Sequence, residues 1–464
     1  MRVGIVGCGY VFDDYMRTWA NHPALELAGV TDRDPAQVAR VARHYGVPTY
    51  ASTEELLADP AVDVVLNLTS VASHYAVTRA ALEAGKHVYS EKPLVTELHL
   101  ARELVDLAES RGLLLGCAPS NALSATALTM WKVVADGLVG DVRLVYAELD
   151  DNPIYLMGPE SWRSESGAPW PYLSEYEAGC TWEHVSYHLA WMCAIFGPVR
   201  SVTAFSKVTL PDKTHQPLSP PDTPDFSVAC LDFVSGVVGR VTCSIGAPYD
   251  HRMRVIGNRG WVHSDNPWHD ECPVYLEPFT TLSLNARKAR SVRASTALQR
   301  LFGVGGHRVP LVRVPPPGQS EPYDPLGPRR WWSPADLLRR LRLGQLGQQD
   351  KCVGVAELVD AATTGRPSFP GHDFTLHLTE LTLAIQAAGP SGTGHRLETT
   401  FEPWPLPEEV VRRSPDYRRY VRRSLLDRLT AGLLHRMHRH GAPPESPARL
   451  TPAGRQPSPQ EERP

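Results

Sequence analysis

Arg2-Val3-Gly4-Ile5-Val6-Gly7-Cys8-Gly9-Tyr10-Val11-Phe12 opens the chain. An apolar run suited to a buried strand meets two glycines and then a helical pattern. In such a turn the first glycine permits the tight reversal, and the second lets backbone N–H groups approach a pyrophosphate at a helix N-terminus. The third position of this fingerprint is Phe12, where Gly or Ala is usual, so the motif alone also fits a bare strand-to-helix turn. Asp32 lies 23 residues beyond Gly9 and closes the second apolar run. A carboxylate there would accept hydrogen bonds from a ribose 2′-hydroxyl, which favours NAD; Arg33 beside it would instead meet the 2′-phosphate of NADP. The plainer alternative for Asp32 is a helix cap ahead of Pro35.

Outward from this turn, Val3–Val6, Leu25–Val30, Val62–Leu68, His87–Ser90 and Leu113–Cys117 read as short strands buried on both faces. Helical stretches separate them. Ser52 and Glu55 form a capping-box pattern, and Gly85 closes a helix that starts near His74. Residues 1–121 are therefore predicted to form a doubly wound parallel sheet of the Rossmann type. Its candidate cofactor residues are Gly7, Gly9, Tyr10, Val11, Asp32, Arg33, Asn67, Thr69, His74, Glu91 and Lys92.

Residues 122–400 change character. Val142–Leu149, Val199–Val208, a hairpin of Phe226–Val234 with Val237–Ile245 about Ser235-Gly236, and Arg252–Ile256 turning at Gly257-Asn258 predict an α+β domain with a large, mostly antiparallel open sheet. Trp182, Val185, Leu189, Met192 and Phe196 recur at helical spacing until Gly197-Pro198. Residues 280–350 are basic and rich in Pro and Gly, with Pro315-Pro316-Pro317-Gly318 and Arg329-Arg330-Trp331-Trp332, and read as a partly ordered insertion. Helices are expected at Cys352–Thr363 and Phe374–Ala388. Residues 401–464 read as a basic helix, with Arg412, Arg413, Arg418, Arg419, Arg422 and Arg423, and a disordered tail outside the core.

Composition narrows the function classes. The 464 residues are 42% apolar, and 47 Lys and Arg against 51 Asp and Glu give a net charge of −4. That balance argues against a dedicated nucleic-acid binder. Eight cysteines without a CxxC pair point to buried thiols in a reducing compartment, not to a disulfide or zinc framework. No run approaches the roughly 20 apolar residues that span a bilayer, so a cytoplasmic protein is expected.

Ser90-Glu91-Lys92-Pro93 ends the fourth strand, at the edge where doubly wound sheets bind ligands. A lysine there can hydrogen-bond a substrate hydroxyl and, if burial lowers its pKa, share in proton transfer. Together with the N-terminal GxGxx, the acid closing strand two and Gly85-Lys86-His87-Val88, this resembles the Gfo/Idh/MocA oxidoreductases, over roughly residues 1 to 275 and 350 to 400. The resemblance implies that Lys92 contacts the reacting carbon's substituent, that the Lys92-Pro93 bond is cis, and that NAD or NADP is the cofactor.

The family also carries an Asp-x-x-x-His pattern after a Gly-rich segment, matched here by Ala178-Gly179-Cys180-Thr181-Trp182-Glu183-His184-Val185-Ser186-Tyr187-His188. On this reading His188 is the acid/base residue, and His184, with Glu183 beside it, replaces the usual Asp. By spacing, His184 and His188 share a helix face. A metal reading of His-x-x-x-His lacks a third ligand at motif spacing, so no metal is expected. Trp162, Arg163 and Glu183 are candidate substrate contacts, with Tyr155, Trp170 and Tyr172 in the same loop; Arg252 and Trp268-His269 are weaker candidates, and His377 is expected to be structural. The expected activity is NAD(P)-dependent hydride transfer at a hydroxyl-bearing carbon of a sugar, sugar derivative or cyclitol. Alternatives are an NAD-dependent glycosidase or epimerase without net redox change, and a non-catalytic sensor. The resemblance further implies a homodimer or tetramer.

Overall fold

The computed structural model describes residues 1–266, 269–317, 319–320 and 349–421. Trp268, Gly318, Arg329-Arg330-Trp331-Trp332, Arg422, Arg423 and the chain beyond lie outside the described residues.

Five parallel strands, β1 (Arg2–Val6), β2 (Glu26–Thr31), β3 (Val64–Asn67), β4 (His87–Ser90) and β5 (Leu115–Cys117), form one sheet in the order β2-β1-β3-β4-β5. The order reverses between β1 and β3, which opens a crevice at the strands' C-terminal ends. Helices α1 (Tyr10–Trp19), α2 (Pro35–Tyr45), α3 (Thr53–Ala58), α4 (Val71–Glu83) and α5 (Leu98–Ser110) connect them. Local signals set their ends. Asp34 caps α2 by accepting from Ala36 N ahead of Pro35, left-handed Gly46 ends it, and Ser52 Oγ accepts from Glu55 N at the start of α3. The cap before Pro35 is thus Asp34, which leaves Asp32 for another role.

One face of this sheet is sealed from far along the chain. Cys352, Val355, Ala356, Leu358 and Val359, on or next to the helix Val353–Thr364, share an apolar cluster with Val3, Ile5, Phe12, Tyr15 and Val30.

Among the described residues the second sheet has nine strands: β6 (Val142–Asp150), β7 (Val199–Lys207), β8 (Phe226–Phe233), β9 (Val238–Ser244), β10 (Met253–Gly257), β11 (Gly260–Ser264), β12 (Val274–Pro278), β13 (His307–Val309) and β14 (Thr393–Arg396). Their order is β13-β12-β11-β10-β6-β9-β8-β7-β14, antiparallel except for the β6–β9 pair. Inward residues such as Val145, Ala147, Leu231, Val241 and Val255 pack against α6 (Ala125–Ala135), α8 (Ser186–Phe196) and the helix His372–Gln386; the short α7 (Tyr172–Ala178) precedes α8 in the chain. Helix α8 is buried nearly all round, as expected of a helix enclosed between other elements.

The predicted insertion contributes edge strand β13, and Thr280–Val304 belongs to a separate compact unit of three short helices. Residues 401–421 correct the expectation of a tail outside the core. Phe401, Val410 and Tyr417 are buried, and Tyr417 donates its hydroxyl to Pro310 O at 2.8 Å, so the Arg-rich stretch is fastened by the apolar residues between its charges.

Candidate active site

A cleft of about 1250 Å³ runs from the β1–α1 turn to α8, a volume above the roughly 300–1,000 Å³ of single-ligand pockets. Gly7, Gly9, Tyr10, Val11, Asp32, Arg33, Thr69, His74, Glu91 and Lys92 line it at the first sheet's end. Gly7 adopts φ +107, and a Cβ there would stand 2.5 Å from the carbonyl carbon of Leu68. At Gly9 a Cβ would meet no atom within 4 Å. The first glycine is thus demanded by the backbone, and the second keeps the cradle open. Asp32 Oδ2 accepts from Cys8 N at 2.7 Å and Oδ1 from Asp34 N at 2.9 Å, so the carboxylate both shapes the turn and borders the cleft. These residues fit a dinucleotide.

Asn67 does not reach the cleft. It is fully buried, donating to His74 O and Thr78 Oγ1 and accepting from Thr69 N and Thr69 Oγ1, so it supports the turn that presents Thr69. His74 borders the cleft, but its Nδ1 lies 2.6 Å from Pro93 O and its Nε2 3.0 Å from Thr69 O, tying the Lys92-Pro93 segment to that same turn. The Lys92-Pro93 bond is cis.

Lys92 pairs with Glu183 across 91 residues of sequence. Burial disfavours its charge, yet the Glu183 carboxylate beside it holds the ammonium well above the usual lysine pKa. Lys92 is therefore a charged hydrogen-bond donor and not the lowered-pKa base considered from sequence. Glu183 also borders Glu175, whose carboxyl is pushed well up by burial and by that like charge. Glu91 accepts from Tyr15 OH at 3.0 Å and from Lys92 N at 3.0 Å.

The segment Thr181–Val185 is a π-helical turn running into α8. A π turn holds an extra residue, which changes the face that following side chains present. Glu183, His184 and Tyr187 line the cleft, and His188 does not. The expected pairing of His184 with His188 is therefore broken. His188 is 1% exposed, with Nε2 2.6 Å from Glu148 O and Nδ1 accepting from Trp191 Nε1 at 2.9 Å. Burial pushes its pKa down to about 3. Both nitrogens of the His188 ring are thus engaged by protein, and the ring does not border the cleft. His184 faces Asp151, Nδ1 to Oδ2 at 3.7 Å, and burial lowers its pKa against the pull of that carboxylate.

Trp162 lines the cleft and packs on Trp170 with ring centroids 4.8 Å apart. Arg163 turns outward, its Nη1 donating to Glu160 O and Trp162 O. Tyr155 and Tyr172 are half-buried against the second core, and Arg252 is committed to Asp250. His377 is structural as expected, accepting from Val199 N at 3.0 Å. Sequence reasoning missed Tyr187 and Lys351. Tyr187, four residues after Glu183, could have been found by spacing; Lys351 follows the insertion without any motif. Among the described residues no group of three or more His, Cys, Asp or Glu is placed to hold a metal ion, and no helix is long and apolar enough to cross a membrane.

Comparison with known proteins agrees with this geometry. Residues 1–118 match the family model described as oxidoreductase family, NAD-binding Rossmann fold, and residues 127–263 match the GFO/IDH/MocA C-terminal domain. Trans-1,2-dihydrobenzene-1,2-diol dehydrogenase of Macaca fuscata fuscata is 28% identical over 280 residues, covering 60% of this chain and 77% of the relative. The aldose-aldose oxidoreductase of Caulobacter crescentus, solved with glycerol, superposes with a TM-score of 0.59 at 21% identity, covering 86% of this chain and 99% of that one. The WlbA dehydrogenase of Bordetella pertussis, solved with NADH and UDP-GlcNAcA, does so at 0.57 and 18%, covering 86% and 97%. The chain belongs to the Gfo/Idh/MocA family of NAD(P)-dependent oxidoreductases.

Proposed function

We propose that the protein interconverts an alcohol and a carbonyl on a sugar, sugar derivative or cyclitol, with Lys92 polarising the reacting C–O group and Tyr187 exchanging its proton. The observation that carries this is the placement of a charged lysine and a phenol on one wall of the cleft. Lys92 Nζ lies 6.0 Å from the Tyr187 ring centroid, and both border the same space as Gly9 and Asp32. A nicotinamide bound there supplies or accepts the hydride. In the oxidation direction, Lys92 donates a hydrogen bond to the substrate oxygen and Tyr187, as phenolate, takes its proton; reduction reverses both. Glu183 keeps Lys92 charged. His184 and Asp151 border the same cleft and face each other, while Trp162 and Trp170 offer an aromatic face to a ring.

The named activities of the relatives, on a dihydrodiol and an aldose, support a substrate with adjacent hydroxyls. The outward, half-buried aromatic residues Tyr146, Trp261 and Tyr275 support pairing of the nine-stranded sheet into a homodimer or tetramer. Calorimetric titration with NAD(H) and NADP(H), followed by a panel of aldoses, polyols and cyclitols, tests the function. Nucleotide binding with turnover that Lys92→Met abolishes is expected. Absence of binding and of thermal stabilisation by every nucleotide overturns it, and sugar release from an aryl glycoside without NADH accumulation redirects it to redox-neutral chemistry.

A further inference from the structure

We propose that an ordered water binds in a chamber beside Lys92, held by Trp182 Nε1, Ser186 Oγ and Thr375 Oγ1, and that Thr375 thereby acts as a positioning residue for the Lys92–Glu183 pair. Only the positioning half rests on the proposed role of Lys92. The chamber is a cavity of about 30 Å³, bounded by the cis Lys92-Pro93 segment, by Trp182 in the π turn and Ser186 at the start of α8, and by Thr375 and Leu378 of the helix His372–Gln386. Lys92 borders both this chamber and the large cleft. Ser186 and Thr375 are 6% and 3% exposed. Their hydroxyl oxygens and the buried indole nitrogen of Trp182 have no hydrogen-bond partner among the described residues. Thr379, on the same wall, is satisfied by donating to Thr375 O at 2.8 Å.

Buried polar groups in folded proteins are nearly always hydrogen-bonded, to protein or to water. Three unmatched ones around a single cavity therefore define the occupant. An indole N–H only donates, so the occupant must accept a hydrogen bond, which excludes a cation. The two hydroxyls can donate or accept, and water, with both capacities, serves all three at the usual number of about three bonds per buried water. The volume exceeds the roughly 10–15 Å³ that one such water requires. An anion finds no unmatched charge, because the Lys92 ammonium is already paired with the Glu183 carboxylate. Trp182 and Ser186 lie on either side of Glu183 in the chain, across a turn that departs from α-helical geometry. A water held by both and by Thr375 ties this turn to the helix His372–Gln386. Thr375 does not line the cleft, so it acts on Lys92 through the water, the turn and Glu183.

The test is a high-resolution crystal structure of the full chain, with a bromide soak, and kinetics of Thr375 variants. A water peak is expected within roughly 2.7–3.2 Å of all three atoms, with no anomalous bromide signal at that point. An empty chamber overturns the proposal, and a bromide peak there overturns the assignment of water. Thr375→Val keeps the side-chain shape without the hydroxyl; it is expected to lose the water and lower kcat about 2- to 10-fold, the worth of one hydrogen bond, with KM for the nucleotide unchanged. Thr375→Ser should restore both the water and kcat. Ser186→Ala removes another of the three bonds and supplies the comparison if the Val variant fails to fold. Wild-type kcat in a folded variant that has lost the water overturns the positioning role. A wild-type enzyme that holds the water but turns over no substrate overturns the proposed activity and supports the water site.

Discussion

Trp191 donates its indole N–H to Nδ1 of His188 at 2.9 Å, and the opposite nitrogen of the ring lies against the Glu148 carbonyl. This histidine joins α8 to β6 from inside the second core. His188→Ala should leave a buried donor and a buried acceptor unpaired and cost roughly 2–4 kcal/mol of stability, with kcat of the folded enzyme changed only a few-fold. The pH dependence follows from its depressed pKa. The unfolded ring binds a proton below about 6.5, and the folded ring does not until about pH 3. The contribution is therefore complete above pH 6.5 and is lost as the pH falls toward 3. His377, pushed down to about 4 by burial, acts in the same direction. Thermal melts from pH 7 to 4 should show a decline that is shallower in His188→Ala.

The two glycines of the β1–α1 turn should fail in different ways. Gly7→Ala drives a methyl into the Leu68-Thr69 backbone at a φ that L side chains rarely adopt, so loss of folded protein is expected. Gly9→Ala meets no protein atom, and its methyl enters the cleft where the phosphates would lie. An unchanged melting temperature with nucleotide affinity weakened at least about tenfold is expected. Circular dichroism melts and calorimetric titration of both variants check the contrast.

These glycines also mark what was legible in the sequence. The parallel sheet, the Gly7 turn and the antiparallel second sheet follow from local patterns, apolar runs and punctuation, while the cis Lys92-Pro93 bond follows from the family resemblance. The misreading of α8 has a local cause too. A period of 3.6 residues places His184 and His188 together, and one π turn separates them. Lys351 belongs to a different class of difficulty. Its place beside Tyr187 depends on a chain return after a long insertion, secured by Asn21, His22 and Asp270, and no spacing rule encodes such a contact.

Glu183→Gln tests whether Lys92 is kept charged by its partner. The substitution removes a charge-assisted hydrogen bond worth about 1.5–3 kcal/mol, which predicts a fall in kcat of roughly 10- to 100-fold with a smaller change in KM. It also removes the like charge facing Glu175. The raised carboxyl of Glu175 favours the folded state at low pH and is lost as a contribution when the pH rises through its folded value. Glu183→Gln should therefore flatten the fall in stability that begins above the ordinary carboxylate pKa, while lowering turnover at every pH.

Asp32 should direct the enzyme to NAD. Its carboxylate is fixed by Cys8 N and Asp34 N and borders the cleft, where it can accept from a ribose hydroxyl and would repel a 2′-phosphate. Arg33 is exposed beside it. NAD is expected to bind at least about tenfold more tightly than NADP, and Arg33→Ala should widen the ratio by weakening NADP alone. Paired calorimetric titrations decide this, and tighter binding of NADP by the wild type would refute it.

The loop carrying Trp162 and Trp170 is fastened to the cofactor turn through Asp13. Asp13 Oδ2 accepts from Ser166 N at 2.9 Å and Ser166 Oγ at 2.8 Å, and Oδ1 accepts from Tyr45 OH at 2.8 Å. Arg40 completes the link by donating to Ser166 Oγ at 3.2 Å and to Cys8 O at 2.5 Å. Burial opposes ionisation of Asp13, but the hydrogen bonds from Ser164, Ser166 and Tyr45 hold its carboxyl below the usual range. The tether is therefore intact above the ordinary carboxylate pKa and is lost as the pH falls through the lowered one. Asp13→Ala removes it at all pH values. Trypsin should then cut after exposed Arg163 several-fold faster than in wild type, and nucleotide affinity should fall, because Trp162, Ala168, Pro169 and Trp170 wall the cleft. Arg17→Ala is the control. Its contact with Glu165 is an ion pair at 3.4 Å between largely exposed groups, worth less than about 1 kcal/mol, so cleavage and affinity should stay near wild type. Equal cleavage rates for Asp13→Ala and wild type would show that the loop is held by its Trp–Trp packing instead.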